Sequence, residues 1–489
     1  MRPSRLRHRP RLPASGRSRE HGGAAGCPVS EELDLVVRGG TVVTADAAFS
    51  ADVGIRGERV AAIGSRLPAA RVIDAGGCLV VPGAIDPHTH FDTRIGGDPT
   101  ADDYESGSRA AAAGGITSFI NFAFQEAGAS LRETVEAEFA KARGRTHLDF
   151  TLHVVVTDPD RESLADEVRS LASFGLASLK VFTAVAGLEL RREQLLKVFQ
   201  AAADAGAIVA VHAEDGPLVT HLTRRLLAAG KTGVEHLPEA RPPESEALAV
   251  SYVCAYGRAT GCPLYIVHLS CAAALESVRA ARSLGTRVYV ETRPAYLYLD
   301  ESRYRLPERE GNKFVTWPPL RTAGDQAALW AGLASGEIQT YGTDHTTWMR
   351  AQKMAADRNF DQIPGGISNV QTSIGMLYSE GVGGGRISVN RFVQAVSTNP
   401  ARLFGLWPQK GTIAVGSDAD LVLIDPDRTF RIEESEMQSR SDFDPYDGRE
   451  CRGWPVLTIS RGEVIVEDGE VRSRPGRGRL LPRRPFEPL

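Results

Sequence analysis

Six residues of this 489-residue chain have types and spacings suited to holding metal ions: His88, His90, Lys180, His212, His268 and Asp344. Lys180 is the most telling. It sits inside the apolar run Leu176-Ala-Ser-Leu-Lys-Val-Phe-Thr-Ala184, which predicts a buried strand, where a bare ammonium is costly. An ammonium has no lone pair and is repelled by divalent cations, so this lysine can serve a metal only after modification. Its neutral amine plus CO2 gives an anionic carbamate whose two oxygens can bridge metals about 3.5–4 Å apart. His88-Thr-His90 places two imidazoles on one side of an extended segment, enough to start a first site. His212, in Val211-His-Ala-Glu-Asp215, and His268, in Val267-His-Leu-Ser270, supply the imidazoles of a second. Asp344, in Tyr341-Gly-Thr-Asp-His-Thr-Thr347, can bind the first metal and face a water whose pKa the metals lower. It can then take that water's proton and return it to a leaving nitrogen. Singly, a His-x-His pair or a strand-end histidine is a weak signal; together the six describe a two-metal hydrolytic site.

Such a set needs a scaffold that brings distant strand ends to one rim. Apolar strands are predicted at Cys78–Ile85, Ile116–Phe122, Leu148–Val156, Leu179–Thr183, Ile208–His212, Leu264–His268, Arg287–Glu291 and Ile338–Thr343. Helical spacings fill Leu131–Ala142, Arg192–Ala205, Glu244–Tyr256, Ala272–Leu284 and Asp325–Leu333. Alternation of this kind predicts a parallel α/β architecture, a (β/α)8 TIM-like barrel over residues 82–409, with its chemistry at the C-terminal strand ends. His88 and His90 then follow the first strand, Lys180 lies on the fourth, His212 and His268 end the fifth and sixth, and Asp344 follows the eighth. Short strands broken by turns over residues 33–81 return over 410–470, so both chain ends are expected to build one small β-sandwich.

A net charge of -4 argues against nucleic acid as a partner, and no apolar run is long enough to span a membrane. Six cysteines without CxxC spacing point to a reduced, cytoplasmic protein. Residues 1–32, rich in Arg, Pro, Ser and Gly, read as a disordered extension. Gly381-Val-Gly-Gly-Gly385 reads as a flexible loop, His153 as a core histidine, and His345 as a structural neighbour of Asp344.

The chain resembles the cyclic amidohydrolases, in the dihydropyrimidinase and hydantoinase branch of the amidohydrolase superfamily. The resemblance rests on Pro82-Gly-Ala-Ile-Asp-Pro-His-Thr-His-Phe-Asp92, Ser178-Leu-Lys-Val-Phe182, Val211-His-Ala-Glu-Asp215, Tyr265-Ile-Val-His-Leu-Ser270, Pro318-Pro-Leu-Arg321, Gly342-Thr-Asp-His345 and Asn399-Pro-Ala-Arg-Leu-Phe-Gly405, and runs from about Leu33 to Phe486. It implies two divalent metals per subunit, usually zinc, on the six residues above, with Lys180 as N6-carboxylysine. It also implies opening of a cyclic amide or imide by a bridging hydroxide, with Asp344 as base and then acid. A basic tail over residues 471–489 would dock on a neighbouring subunit of a homo-oligomer, a dimer or tetramer.

Three expected substrate contacts depart from the family pattern. Val185 stands where a tyrosine usually donates to the developing oxyanion, Trp317 where a serine precedes Pro-Pro-Leu-Arg, and Gly365 where an asparagine follows Ile-Pro. Main-chain groups at Trp317 and Gly365 can still hold an amide edge, and the indole can stack on a flat substituent. The loss at Val185 keeps allantoin or dihydroorotate open beside dihydropyrimidines and 5-substituted hydantoins as the ring substrate. A non-catalytic scaffold role, known among relatives that lack the metal ligands, is the remaining alternative.

Overall fold

The computed structural model describes residues 32–95, 97–486 and 488–489. The expected disordered extension over 1–32 lies outside the described residues except for Glu32. Among the described residues, eight parallel strands pair in chain order: β1 (Ala84–Thr89), β2 (Ile116–Phe124), β3 (Asp149–Val155), β4 (Ser178–Phe182), β5 (Ile208–His212), β6 (Leu264–Ile266), β7 (Val288–Thr292) and β8 (Thr340–Tyr341). Thr89 meets His345 in a parallel bridge and the His90 N–H donates to the His345 carbonyl at 3.0 Å, which returns β1 to the chain beyond β8. The expected barrel is therefore present.

Its helices are α1 (Tyr104–Ala113), α2 (Leu131–Ala142), α3 (Leu164–Ser173), α4 (Arg192–Asp204), α5 (Gly216–Ala228), α6 (Pro243–Thr260), α7 (Ala272–Ser283) and α8 (Ala323–Ser335). In α2 the buried positions Leu131, Thr134, Val135, Glu138 and Ala142 form one stripe, and Ser130 with Glu133 closes a capping box at its start. The five stretches expected from apolar spacing are α2, α4, α6, α7 and α8, and α1, α3 and α5 complete the expected alternation of strand and helix.

The first expected strand proves to be two. Leu79–Pro82 pairs with Leu421–Ile424 in the sandwich, whereas β1 begins at Ala84 and carries His88 within it. The break falls at Gly83, where a Cβ would lie 2.2 Å from Thr117 Oγ1. The sixth and eighth strands stop short of His268 and Asp344, because both residues adopt left-handed backbone, φ 39° and 48°. The expected flexible loop at Gly381–Gly385 is also corrected. Leu377–Gly383 is helical, and a Cβ at Gly381 would lie 3.0 Å from Ile387 Cδ1, so this glycine permits close packing.

Both chain ends build the second layer. A four-stranded sheet from residues 33–74 faces a seven-stranded sheet that joins Leu79–Pro82 to Leu421–Arg431 and Glu450–Ser460. Leu35, Val37, Val53 and Ile55 meet Val80, Leu421, Leu423 and Ile459 in their common core. A buried ion cluster sits where sandwich and barrel meet: Lys410 Nζ contacts Asp149 at 2.8 Å, Asp420 at 2.7 Å and Asp418 at 3.0 Å. Described residues of the tail bond along the barrel floor. Phe150 N donates to Arg479 O at 2.9 Å, and Arg483 N to Gly175 O at 2.9 Å. Among the described residues, five cysteines are free and no helix is long and apolar enough to cross a membrane.

Candidate metal centre

The six expected ligands line one cavity at the C-terminal mouth of the barrel, together with Val185, Trp317 and Gly365. His88 Nδ1 bonds Glu291 Oε1 at 2.7 Å, so its Nε2 faces the cavity. That atom lies 3.3 Å from His90 Nε2 and 3.1 Å from Asp344 Oδ1, and His90 Nε2 lies 3.2 Å from the same oxygen. Opposite, His212 Nε2 bonds Glu214 Oε2 at 2.8 Å and its Nδ1 lies 3.1 Å from His268 Nε2. The carboxylates accept the ring N–H groups, which sets the tautomers and turns the two lone pairs inward.

This donor set fits metal ions. A tetrahedral zinc with bonds of ~2.0–2.1 Å spaces its ligands roughly 3.3 Å apart, close to the separations found. Without a cation or a shared proton, lone pairs that close repel. His88, His90 and Asp344 are thus a buried group able to hold a metal. Among the described residues Lys180 Nζ has no hydrogen bond or ion pair; it lies 5.2 Å from the Phe122 ring centre and 4.8 Å from that of Phe182. Burial pulls its amine down to about 7, against the attraction of Asp344 and Glu291, so much of it is neutral at neutral pH. Burial likewise pulls His90 down to about 4 and His268 well below the usual histidine range. Burial would raise Asp344, but the Arg293 charge, with His88 and His90, holds its carboxyl well below the usual range.

Several functional side chains escaped the sequence reading. Glu291, at the end of β7, also accepts from His268 N at 2.9 Å and Tyr265 OH at 2.8 Å. A Cβ at Gly342 would lie 2.4 Å from its Oε2, so glycine is required beside it. Asp86 accepts from His88 N at 3.1 Å and from Thr343 N at 3.0 Å, and burial pushes it up to about 6. Glu291 sits near the end of an apolar strand, the signal that marked the histidines, whereas Asp86 lies in the middle of β1. Arg293, fully buried, reaches Asp344 Oδ2 and Thr316 Oγ1, and nothing in its local sequence marks it. Lys353 Nζ donates to Val315 O at 2.8 Å and Pro364 O at 2.7 Å, tying together the segments that carry Trp317 and Gly365. His345 is structural, bonded to Asp102 at 2.9 Å, and His153 is held by Ser178 at 2.5 Å and Pro87 O at 3.1 Å.

The substrate side of the cavity is apolar and backbone-rich. Among the described residues, the main-chain N–H and C=O of Trp317 and the N–H of Gly365 make no hydrogen bond. The site offers ≈ 60 Å³ of open space, and a neighbouring cavity of ≈ 910 Å³ shares Val185 and Trp317 with it as walls.

The amidohydrolase family model matches residues 79–465. A D-hydantoinase of Ralstonia pickettii is 39% identical over 458 residues, covering 93% of this chain and all of the relative. A D-phenylhydantoinase of Escherichia coli O9:H4 (strain HS) is 37% identical, covering 93% and 99%. The crystal structure of the dihydropyrimidinase from Brevibacillus agri NCHU1002 superposes with a TM-score of 0.91 at 41% identity, covering 93% of this chain and 100% of that one.

Proposed function

The chain belongs to the amidohydrolase family, and from that membership we propose that it is a metal-dependent hydrolase opening the amide or imide C–N bond of a dihydropyrimidine or 5-substituted hydantoin ring. The observation that carries this reading is the convergence on one cavity of six donors from five barrel strands and the turns that follow them, with a lysine amine that has no hydrogen bond or ion pair among the described residues. Two divalent cations, zinc by the nature of the donors, held by His88, His90, Lys180 as its carbamate, His212, His268 and Asp344, would supply Lewis acidity and lower the pKa of the attacking water. Asp344 is ionised and takes the water's proton, then returns it to the ring nitrogen as the C–N bond breaks. Glu291 and Glu214 hold the His88 and His212 rings in the tautomers that point lone pairs inward. The free main-chain groups of Trp317 and Gly365 hold the amide edge, and apolar Phe124, Val185 and Leu188 exclude water around it.

The name of the Escherichia coli relative specifies a phenyl-substituted ring, and the cavity bordering Val185 and Trp317 has room for such a substituent. Substituted hydantoins are therefore preferred here to bare rings. The test is metal analysis of the purified protein with a hydrolysis panel of dihydrouracil, 5-phenylhydantoin, 5-alkylhydantoins, allantoin and dihydroorotate. Turnover led by 5-phenylhydantoin is expected. A protein that neither holds metal nor turns over any ring after zinc and bicarbonate are added is not this enzyme.

A further inference from the structure

The departures at Val185, Trp317 and Gly365 form one packed unit. Val185 belongs to an apolar cluster with Phe122, Val155 and Phe182, and Trp317 packs against that cluster. On its other contact, a Cβ at Gly365 would lie 2.9 Å from Trp317 Cδ2, so no larger residue fits at 365 while this indole is in place. The indole is also positioned from the metal side. Glu214, which bonds His212 at 2.8 Å, takes the Arg241 guanidinium at 2.5 Å, and that guanidinium lies 4.8 Å from the Trp317 ring centre. A continuous chain of contacts thus runs from an expected metal ligand to this ring.

Trp317 Nε1 is a buried donor with no hydrogen-bond partner among the described residues, in a ring that lines the cavity of the six ligands. A buried N–H left unpaired costs free energy unless something arrives to accept from it. Val185 lines the same cavity and, where the resemblance implies a tyrosine, offers an oxyanion no side-chain donor. We propose that the Trp317 indole N–H is the oxyanion donor of this enzyme, a catalytic residue replacing the absent tyrosine. The inference rests on the ring-opening reaction proposed above.

The step balances with groups already placed. Water oxygen bonds to the amide carbonyl carbon, one water proton passes to Asp344, and the carbonyl π pair moves onto oxygen, where Trp317 Nε1–H donates to it. Return of that pair breaks the C–N bond, and the ring nitrogen takes the proton from Asp344. The product carries a carboxyl group and a new N–H. The indole donates throughout and loses no proton.

The test is Trp317→Phe, which keeps an aromatic ring and removes the N–H, assayed on the ring the wild type opens best. A fall in kcat of on the order of 10²- to 10³-fold with KM within a few-fold is expected. Partial recovery is expected in Val185→Tyr/Trp317→Ser, which returns a hydroxyl donor to position 185. The indole resonance assigned by its loss in Trp317→Phe should shift downfield when a cyclic phosphonamidate is added, its tetrahedral oxygen standing for the oxyanion. Should Trp317→Phe fold poorly, 3-benzothienylalanine at 317 removes the N–H at nearly constant shape and gives the same readings. Unchanged kcat in an active, metal-loaded variant, or a loss confined to KM, overturns the inference and leaves the ring-opening reading intact. An inactive but metal-loaded wild type sinks that reading instead.

Discussion

The Arg293 guanidinium is buried against the Asp344 carboxylate, on the oxygen opposite the one that faces His88 and His90. One carboxylate is thus divided between two tasks: Oδ2 is pinned to the barrel wall, and Oδ1 is left at the reacting centre. The pin also explains how Asp344 tolerates left-handed backbone, a strain of order 1–3 kcal/mol that surrounding contacts must offset.

Arg293→Met should therefore weaken both stability and proton transfer. Leaving Asp344 buried without this partner costs about 3–5 kcal/mol in urea unfolding at pH 7. Asp344 has a depressed folded pKa, so its contribution is present above the unfolded value of ~3.9 and is lost as pH falls through the folded value. The deficit of the variant should accordingly shrink in strong acid. In the active enzyme the acidic limb of the kcat/KM profile should move to higher pH, because the carboxyl protonates more easily. An unmoved limb would show that Arg293 only fills space.

Lys180→Ala should lose bound metal and activity together, and short-chain carboxylic acids should restore part of both by standing in for the carbamate. The wild type makes a companion prediction. Only the neutral amine reacts with CO2, and burial puts this amine at about 7, so metal uptake with bicarbonate should accelerate as pH rises through 7 and level off above it. The metal-free protein should also gain stability from pH 7 towards ~10.4, the window in which the unfolded lysine binds the extra proton. Lys180→Met should flatten that slope in denaturant titrations.

Glu291→Gln tests the support beneath the ligands. The amide keeps the size of the carboxylate but accepts the His88 N–H more weakly, and it can offer a donor to a ring that needs an acceptor. A loss of about 10- to 100-fold in metal affinity or turnover is expected from isothermal titration and steady-state assays, with the fold retained. Equal metal affinity in the two proteins would assign Glu291 to packing alone.

The barrel and the cluster of candidate ligands at its mouth were legible because ionisable residues in otherwise apolar strands stand out against the cost of burying them. Lys180, His212 and His268 each interrupt or end such a run, and parallel topology carries their strand ends to one rim. The same rule reaches Glu291, which closes the seventh expected strand. Arg293 and Lys353 obey no local rule, since their partners Thr316, Asp344, Val315 and Pro364 come from separate loops. Helix α1 offers no apolar stripe to read, because it is alanine-rich and buried almost all round. The strand limits at His268 and Asp344 depend on positive φ, which a sequence of non-glycine residues does not advertise. Gly381 misled in the opposite direction, since a glycine needed for close packing resembles one needed for flexibility.

Lys410 ties the barrel to the sandwich. It is fully buried and its ammonium is held by three aspartates, with Arg461 Nε 3.1 Å from the same Asp149 oxygen. Burial alone would lower the Lys410 pKa, yet the attraction of Asp420, Asp149 and Asp418 outweighs it and raises the group above its ordinary value. A raised folded pKa means that stability from this lysine is fully present below ~10.4 and is lost only as pH rises beyond the folded value. Lys410→Met removes the cation while keeping the apolar stem, and so leaves three buried carboxylates with only Arg461 beside Asp149 and Arg59 beside Asp418. The expected cost is about 3–5 kcal/mol at pH 7. It should diminish in acid, where Asp420, raised by burial, and then Asp149 protonate and no longer need the lysine. Because Asp149 opens β3 and also accepts from Arg479 N of the tail at 3.0 Å, the first region to lose amide protection should be the tail and the barrel floor rather than the metal-binding rim. Hydrogen exchange that instead loosens His88, His212 and His268 first would show that the cluster serves the active site and not the joint.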